Sequence, residues 1–416
     1  MSSLEITLKV ILLFFVLVTI HEWGHFYFAK RAGILVREFA IGFGPKLFTF
    51  KKDETRFTLR LLPIGGFVRM AGEDPEMIDI QKGQTIAVKL NKSNQVTHLY
   101  LDQLTGRSGV IQGEVAQIDM ERKLEVALLV GEDDAKYDIH PQAMMVTKGT
   151  ETQIAPYDRQ FGSKTVGQRA LSIVMGPVMN FLLAVVLFCI VVIMAGVPTN
   201  TKLESIVADQ PAQHSGLLKG DIVKSVNGKE IGKDATVLTT LIQGSPSKVM
   251  NWIVVRNGQE VPLQVTPSGE GKIGVVIGFD KRSANFNEVL TGTWDYVSKT
   301  TVGILDGFKK LVFGQVKMDD LGGPVRIVEV TGQFVQNGMT SYIYWAAIFS
   351  LYLGLFNLLP FPALDGSRLV FLGIEAVRGK PVDPSRESIV HFVGFALLML
   401  LMVVVTYNDI VRLIKS

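Results

Sequence analysis

The sequence predicts a polytopic α-helical membrane protein that also carries two β-rich regions outside its helices. The 416-residue chain is 48% hydrophobic and has a mean hydropathy of +0.30, which is high for a soluble enzyme. Its apolar residues are concentrated in four stretches long enough to cross a bilayer, and the intervening sequence is far more polar. The net charge of only +3 gives no indication of a nucleic-acid partner.

The four apolar stretches are predicted to be transmembrane helices, at residues 4–28, 171–197, 342–359 and 389–406. The first could be mistaken for a secretory signal peptide, because Lys9 precedes its apolar run. However, the run continues into His21 and Glu22 instead of the small residues of a cleavage site. We therefore expect four membrane spans, which makes the lipid bilayer the predicted environment of the protein.

The distribution of basic residues predicts how these helices are oriented. Eight Lys and Arg residues lie between residues 30 and 60, directly after the first helix, whereas Lys9 is the only one on the N-terminal side of its apolar run. Because cytoplasmic flanks carry the excess of Lys and Arg, the N-terminus should face outward. The turn between the third and fourth helices is also basic, so the first and third helices should both run from outside to inside.

Two soluble regions are expected between the helices. Residues 73–160 contain alternating apolar stretches separated by Gly, Asn and Asp, which predicts a β-rich cytoplasmic insertion. Residues 199–281 contain short β-like runs around a Gly-rich turn, and residues 211–231 in particular resemble a bacterial-type PDZ domain. That resemblance implies an extracytoplasmic module that binds an extended peptide at a sheet edge. The remaining predicted units are residues 1–72 with the first helix, 161–198 with the second, an amphipathic linker at 282–340, and 341–416 with the last two helices.

The motif HEWGH at residues 21–25 has the spacing of a metal site. Residues four apart lie on one face of a helix, so the imidazoles of His21 and His25 can reach one metal ion. Glu22 projects to one side, where it can accept a proton from a water molecule activated by the metal. The motif therefore predicts zinc-dependent hydrolysis.

The depth of this motif in the membrane supports a functional role. At ~1.5 Å per residue from Leu4, His21 lies ~25 Å along the helix, within a hydrocarbon layer ~30 Å thick. Ionisable groups at such a depth usually pair, line a wet cavity or bind an ion. The alternative is that the helix ends at Ile20 and that the motif lies at the interface, which tolerates His and Trp.

A catalytic zinc site needs a third protein ligand, and the third helix offers Asp365. In the segment NLLPFPALDG, residues 357–366, two prolines interrupt the helix and the aspartate follows them. A helix from Tyr342 reaches Leu359 after ~25 Å, level with the histidines, because the first and third helices run in the same direction. The alternative for Asp365 is a structural Asp-Gly turn.

Together these two motifs resemble those of the site-2 protease family of intramembrane metalloproteases, and the single PDZ-like region is similar to that of bacterial members. The resemblance implies that His21, His25 and Asp365 bind Zn²⁺ and that Glu22 is the catalytic base. One departure concerns the residue after Gly366, which is Ser367, where the family commonly has a second glycine.

The same resemblance implies four residues that contact substrate. Asn357 would be a polar residue near the bound peptide. Residues 176–180 resemble the family's glycine-proline-asparagine element, which makes Asn180 an intramembrane polar contact. Residues 57–70, with Gly65 and Gly66 near their centre, resemble the family's membrane-associated β-hairpin, which presents the substrate as a strand.

The sequence therefore predicts an intramembrane zinc metalloprotease of the bacterial cytoplasmic membrane, with its active site toward the cytoplasm. The implied substrates have one membrane span, such as trimmed anti-sigma factors or signal-peptide remnants. A membrane metal-ion transporter is an alternative, because His and Asp within spans can form ion pathways, although transport does not require the base of the motif. A noncatalytic scaffold that recruits partners through its PDZ-like region is the other.

Overall fold

The computed structural model describes residues 3–73, 80–102, 104, 107–131, 133–316 and 322–415. The helices of this part of the chain are α1 (Ser3–Arg31), α2 (Val166–Ala195), α3 (Pro211–His214), α4 (Ala235–Gln243), α5 (Phe286–Val312), α6 (Pro324–Gln336), α7 (Met339–Asn357), α8 (Asp365–Arg378) and α9 (Pro384–Lys415). The strands are β1 (Val36–Lys52), β2 (Thr55–Met70), β3 (Thr85–Leu90), β4 (Val96–Tyr100), β5 (Ile111–Asp119), β6 (Glu125–Val130), β7 (Asp133–Thr147), β8 (Thr150–Gln153), β9 (Val197–Ile206), β10 (Ile222–Val226), β11 (Lys229–Glu230), β12 (Met250–Arg256), β13 (Gln259–Val265) and β14 (Val275–Arg282).

Four of the described helices, α1, α2, α7 and α9, are long and apolar enough to cross a membrane. They coincide with the four predicted spans, which confirms the prediction of a multi-pass membrane protein. The helices extend beyond the apolar stretches at several ends, because the polar flanking residues continue the helical hydrogen bonding. At the end of α1, for example, Lys30 and Arg31 lie where their charge complements the helix dipole.

Two glycines allow α1 and α2 to approach each other closely. A Cβ atom on Gly24 of α1 would lie 2.2 Å from the carbonyl oxygen of Met175, and one on Gly176 of α2 would lie 2.2 Å from Nε2 of His25. Both distances are far below van der Waals contact, so only glycine fits at either position. The sequence thus brings the two backbones together at the level of the histidines.

Strands β1 and β2 form an antiparallel hairpin, and each strand bends so that its two halves occupy different positions in the sheet. Phe39 of β1 lies opposite both Val68 and Phe57 of β2, so the hairpin contains four paired segments. Gly42, which has a φ of 89°, occupies the bend of β1. The hairpin begins at Val36 and is therefore longer than the predicted segment 57–70, because its first strand lies before that segment in the chain.

Strands β3 to β8 lie within the predicted β-rich insertion and form one sheet, in the order β4-β3-β5-β6-β7-β8. A parallel pairing between β4 and β7 closes the first five of these strands into a barrel. The barrel interior is filled by fully buried aliphatic side chains, including Ile86, Val88, Leu99 and Leu128.

An ion pair connects the hairpin with the segment that follows the barrel. Glu54, at the tip of the hairpin, accepts two hydrogen bonds of 2.6 Å from the guanidinium of Arg159 and one of 2.7 Å from Gln153. The Arg159 hydrogen bonds, which outweigh the effect of burial, lower the pKa of the Glu54 carboxyl from 4.5 to about 2. The carboxylate therefore stays charged at all physiological pH values.

Residues Phe188–Tyr296 form a second compact unit. Its antiparallel sheet has the order β13-β12-β10-β9-β14, with β11 paired to β10, and Trp252 lies fully within its core. Asp221 is buried in this unit and accepts hydrogen bonds of 2.8 Å from Nε and Nη2 of Arg256. The described part of the predicted linker 282–340 contains the helices α5 and α6. The limits of the individual domains stay predictions.

Candidate active site

Three side chains from two distant parts of the sequence meet at one point between α1, α2 and the start of α8. Nε2 of His21 and Nε2 of His25 lie 3.2 Å apart. Oδ2 of Asp365 lies 3.2 Å from the first of these atoms and 3.4 Å from the second. All three side chains are at most 18% exposed.

The three atoms form a nearly equilateral triangle that fits a tetrahedral zinc ion. Bonds of about 2.0 Å to a tetrahedral metal place neighbouring ligand atoms about 3.3 Å apart, which is the separation found here. In addition, Oδ2 of Asp365 is buried and makes no hydrogen bond within the described residues. A buried carboxylate oxygen that faces two imidazole nitrogens without a hydrogen bond is costly unless a cation satisfies it. The donor set of two imidazoles and one carboxylate is typical of catalytic zinc, and it leaves a fourth position open.

The other ring nitrogen of each histidine determines which nitrogen faces the metal. Nδ1 of His25 lies 2.9 Å from the backbone carbonyl oxygen of Ser172 in α2. A carbonyl only accepts hydrogen bonds, so Nδ1 carries the proton and Nε2 offers its lone pair to the metal.

The side chain of Asn180 contacts the other histidine, His21, in a similar way. Nδ2 of the side-chain amide lies 3.3 Å from Nδ1 of His21, and Oδ1 of the same amide is buried without a hydrogen-bond partner among the described residues. The oxygen and nitrogen of an amide are distinguished only by their hydrogen bonds. With the amide oxygen toward His21, Nδ1–H donates to it and Nε2 is free for the metal. Ser350 of α7 fixes this position of α2 by donating a 2.8 Å hydrogen bond to the Asn180 carbonyl.

A tight turn between α7 and α8 delivers Asp365 to the site. The predicted break at the two prolines is present, since α7 ends at Asn357 and α8 begins at Asp365 itself. Gly366 lies close to the end of α7, where a Cβ atom would be 2.3 Å from the carbonyl oxygen of Leu359. The small residue at this position therefore lets the turn close on itself.

Glu22 lies beside the metal ligands and beneath the hairpin. It is 7% exposed, and a Cβ atom on Gly66 of β2 would come within 2.8 Å of its Cγ. The same Cβ atom would lie 2.7 Å from the carbonyl oxygen of Ala40, so the glycine lets β2 pack directly against the Glu22 side chain.

Of the four predicted substrate contacts, Gly66 and Asn180 lie near the metal ligands or Glu22, while Gly65 and Asn357 contact residues that are not part of the metal site. Gly65 has a φ of 84° and abuts the ring of Phe43, and the Asn357 amide donates a 3.0 Å hydrogen bond to the Leu353 carbonyl in its own helix. Their roles toward substrate stay predictions.

Sequence reasoning missed the contribution of Ser172. Its interaction with His25 uses a backbone carbonyl, and any residue type supplies one, so no pattern in the sequence could have revealed it.

The site combines two histidines one helical turn apart, a glutamate between them and a carboxylate from another helix. This combination defines a class of protein, the zinc-dependent hydrolases whose site lies among membrane-spanning helices. The model of peptidase family M50 matches residues 9–401, and the chain belongs to that family. It is a zinc metalloprotease.

Relatives of nearly equal length agree with this assignment. The chain is 44% identical to "Zinc metalloprotease RasP" of Oceanobacillus iheyensis, over 97% of this chain and 98% of the relative. It is 42% identical to "Regulator of sigma-W protease RasP" of Bacillus subtilis, over 97% of each chain. A solved serine endoprotease from Yersinia pestis matches 52% of this chain and 68% of its own, with 14% identity and a TM-score of 0.15, which is too low to inform the fold.

Proposed function

We propose that this metalloprotease cleaves single-span membrane proteins within the bilayer, with His21, His25 and Asp365 as zinc ligands and Glu22 as general base. The observation that carries the proposal is the triangle of three ligand atoms, 3.2 to 3.4 Å on a side. It lies among helices that are long and apolar enough to span a membrane.

Each residue of the site has a separate task in peptide hydrolysis. Zinc bound at the triangle supplies Lewis-acid polarisation of the scissile carbonyl and lowers the pKa of a water molecule. The Glu22 carboxylate takes the proton of the attacking water and passes it to the nitrogen of the leaving amine. Ser172 and Asn180 hold the two imidazoles in the tautomer that the metal requires.

The hairpin supplies a surface on which a substrate can lie in extended form. In a transmembrane helix the backbone N–H and C=O groups are engaged in helical hydrogen bonds. The substrate segment must therefore unwind before its peptide bond can be hydrolysed. Residues 66–70 of β2 pair with β1 on one side, and no other described strand pairs with their second side. A substrate strand added at this edge would pass Gly66 and therefore Glu22.

The second compact unit offers a separate peptide-binding groove, and we propose that it is a PDZ-like module. The groove lies between α4 and β14, has a volume of about 380 Å³, and is lined mainly by aliphatic side chains such as Ile242, Ile273 and Ile277. Strand β14 pairs only with β9 among the described strands, which leaves one edge for an added peptide. This module could bind a newly exposed C-terminus or exclude substrates with intact ectodomains.

Trimmed anti-sigma factors and signal-peptide remnants are the substrates we propose. One relative is called a regulator of sigma-W protease, which is consistent with the first class. We further propose that the N-terminus and residues 199–281 face outward and the barrel faces the cytoplasm. This orientation is supported by the excess of Lys and Arg after α1 and between α7 and α9.

Reconstitution with a tagged single-span substrate tests the proposal. The wild-type protein should cleave it in a chelator-sensitive manner, while Glu22→Gln should retain zinc and lose cleavage, and His21→Ala should lose both. Cleavage at the wild-type rate by Glu22→Gln would contradict the mechanism. Metal flux into vesicles without cleavage would support the transporter instead.

A further inference from the structure

The turn that carries Asp365 contains a residue in an unfavourable backbone conformation. Ala363 has a φ of 76°, in the left-handed region that residues with a Cβ atom rarely adopt. Such a conformation persists only where the surrounding structure holds it. The position of Asp365, two residues later, therefore depends on what fixes Ala363.

A histidine of α9 makes a direct hydrogen bond to this residue. The backbone N–H of Ala363 donates to Nδ1 of His391 over 3.1 Å. A backbone N–H only donates, so Nδ1 offers its lone pair and the proton lies on Nε2, which faces Oε1 of Glu387 at 3.5 Å. The ring of Phe371 in α8 meets the imidazole edge to face, with their centroids 5.8 Å apart. Neighbours from two helices thus hold the imidazole in an orientation that can accept from the turn.

A second contact lies nearly one helical turn further along α9. A Cβ atom on Gly394 would lie 2.2 Å from Cβ of Pro362 and 2.7 Å from its carbonyl group, so the helix backbone packs directly on the turn. His391 and Gly394 are three residues apart and share one face of α9. This face therefore contacts two consecutive residues of the turn.

We propose that His391 is a positioning residue for Asp365, which acts by holding the left-handed turn at Ala363. Its hydrogen bond keeps the carboxylate at the corner of the metal triangle, although His391 does not contact the metal ligands themselves. The inference rests on the proposed role of Asp365 as a zinc ligand. It adds α9, which contributes no ligand, to the elements that determine the metal affinity.

Two substitutions separate the hydrogen bond from the volume of the ring. His391→Phe keeps an aromatic ring beside Phe371 but removes the acceptor, whereas His391→Asn retains an acceptor near the position of Nδ1. We expect zinc to dissociate from His391→Phe at least about tenfold faster than from the wild type when a chelator is added. His391→Asn should retain zinc nearly as long as the wild type. Val393→Ala, on the exposed face of α9, is the control and should not change zinc retention.

A double substitution tests the role of the backbone conformation. Glycine adopts positive φ without steric cost, so Ala363→Gly should restore much of the zinc retention that His391→Phe loses. Zinc retention by His391→Phe equal to that of the wild type would overturn the inference. Equal losses in His391→Phe and His391→Asn would also overturn it.

Asp365→Ala distinguishes failure of this inference from failure of the proposed site. If Asp365→Ala loses zinc while His391→Phe keeps it, the ligand assignment stands and the positioning role is wrong. If Asp365→Ala keeps stoichiometric zinc, the ligand assignment is wrong and so is the inference that depends on it.

Discussion

Replacing Gly176 with alanine should disable the metal site without altering any polar group. The new Cβ atom would lie 2.2 Å from Nε2, 2.4 Å from Cε1 and 2.9 Å from Cδ2 of His25. Nonbonded heavy atoms are favourably spaced at about 3.5 Å, so the imidazole would have to move by more than about 1 Å. The hydrogen bond from its Nδ1 to the Ser172 carbonyl, one turn earlier in α2, opposes this movement.

The displaced ring would no longer complete the triangle of ligand atoms. A misplacement of about 1 Å in a catalytic site typically lowers the rate about 100-fold, and we expect a loss of that size in cleavage together with loss of bound zinc. Metal analysis of the purified protein and cleavage of a tagged single-span substrate measure the two effects. Gly167→Ala is the matched control, because a Cβ atom at this position of α2 would meet nothing within 4 Å.

The control variant should keep its zinc and activity, and alanine should favour the helix by up to about 1 kcal/mol. If Gly176→Ala bound zinc and cleaved substrate like the control, α1 and α2 could not cross as closely as described. The account of how His25 is positioned would then be wrong.

Two other substitutions probe the hairpin. Gly66→Ala should lower kcat at least about tenfold and leave zinc content unchanged, because its Cβ would press on Glu22 and on the carbonyl oxygen of Ala40 in β1. Parallel loss of zinc would show that Gly66 supports the metal site instead. Glu54→Gln should lower the free energy of unfolding by about 1 kcal/mol at neutral pH, less than the full pKa shift implies because the pair is partly solvated. Since the folded-state pKa of Glu54 is lowered from 4.5 to about 2, this contribution is present above about pH 4.5 and is lost as the pH falls through about 2. Thermal unfolding of both proteins across this range checks the sign, and an equal difference at every pH would contradict it.

The sequence was most informative where one residue type has one physical consequence. Runs of apolar residues predicted the four described helices that are long and apolar enough to cross a membrane, because a bilayer requires about 20 such residues. The spacing of His21 and His25 predicted their shared face, and the depth along two parallel helices predicted that Asp365 would meet them. These inferences needed only helix geometry.

Features that depend on pairing between distant segments were not predictable in the same way. The fold-back of β1 and the parallel contact of β4 with β7 depend on which distant strands pair, and the pattern within one strand does not identify its partner. The hydrogen-bond partners of His25 and Ala363 were also missed. The first is the backbone carbonyl of Ser172, and the second is His391, a single histidine within a predicted apolar span. Such contacts are determined by how the helices pack.

X-ray absorption at the zinc edge of the purified protein, compared with that of Asp365→Ala, tests the central claim most directly. The wild-type protein should contain one zinc ion with four nitrogen or oxygen neighbours at about 2.0 Å, two of them imidazoles. Asp365→Ala should lose the metal or one oxygen neighbour. A wild-type spectrum without imidazole scattering, or identical spectra from the two proteins, would show that these three side chains do not share one ion.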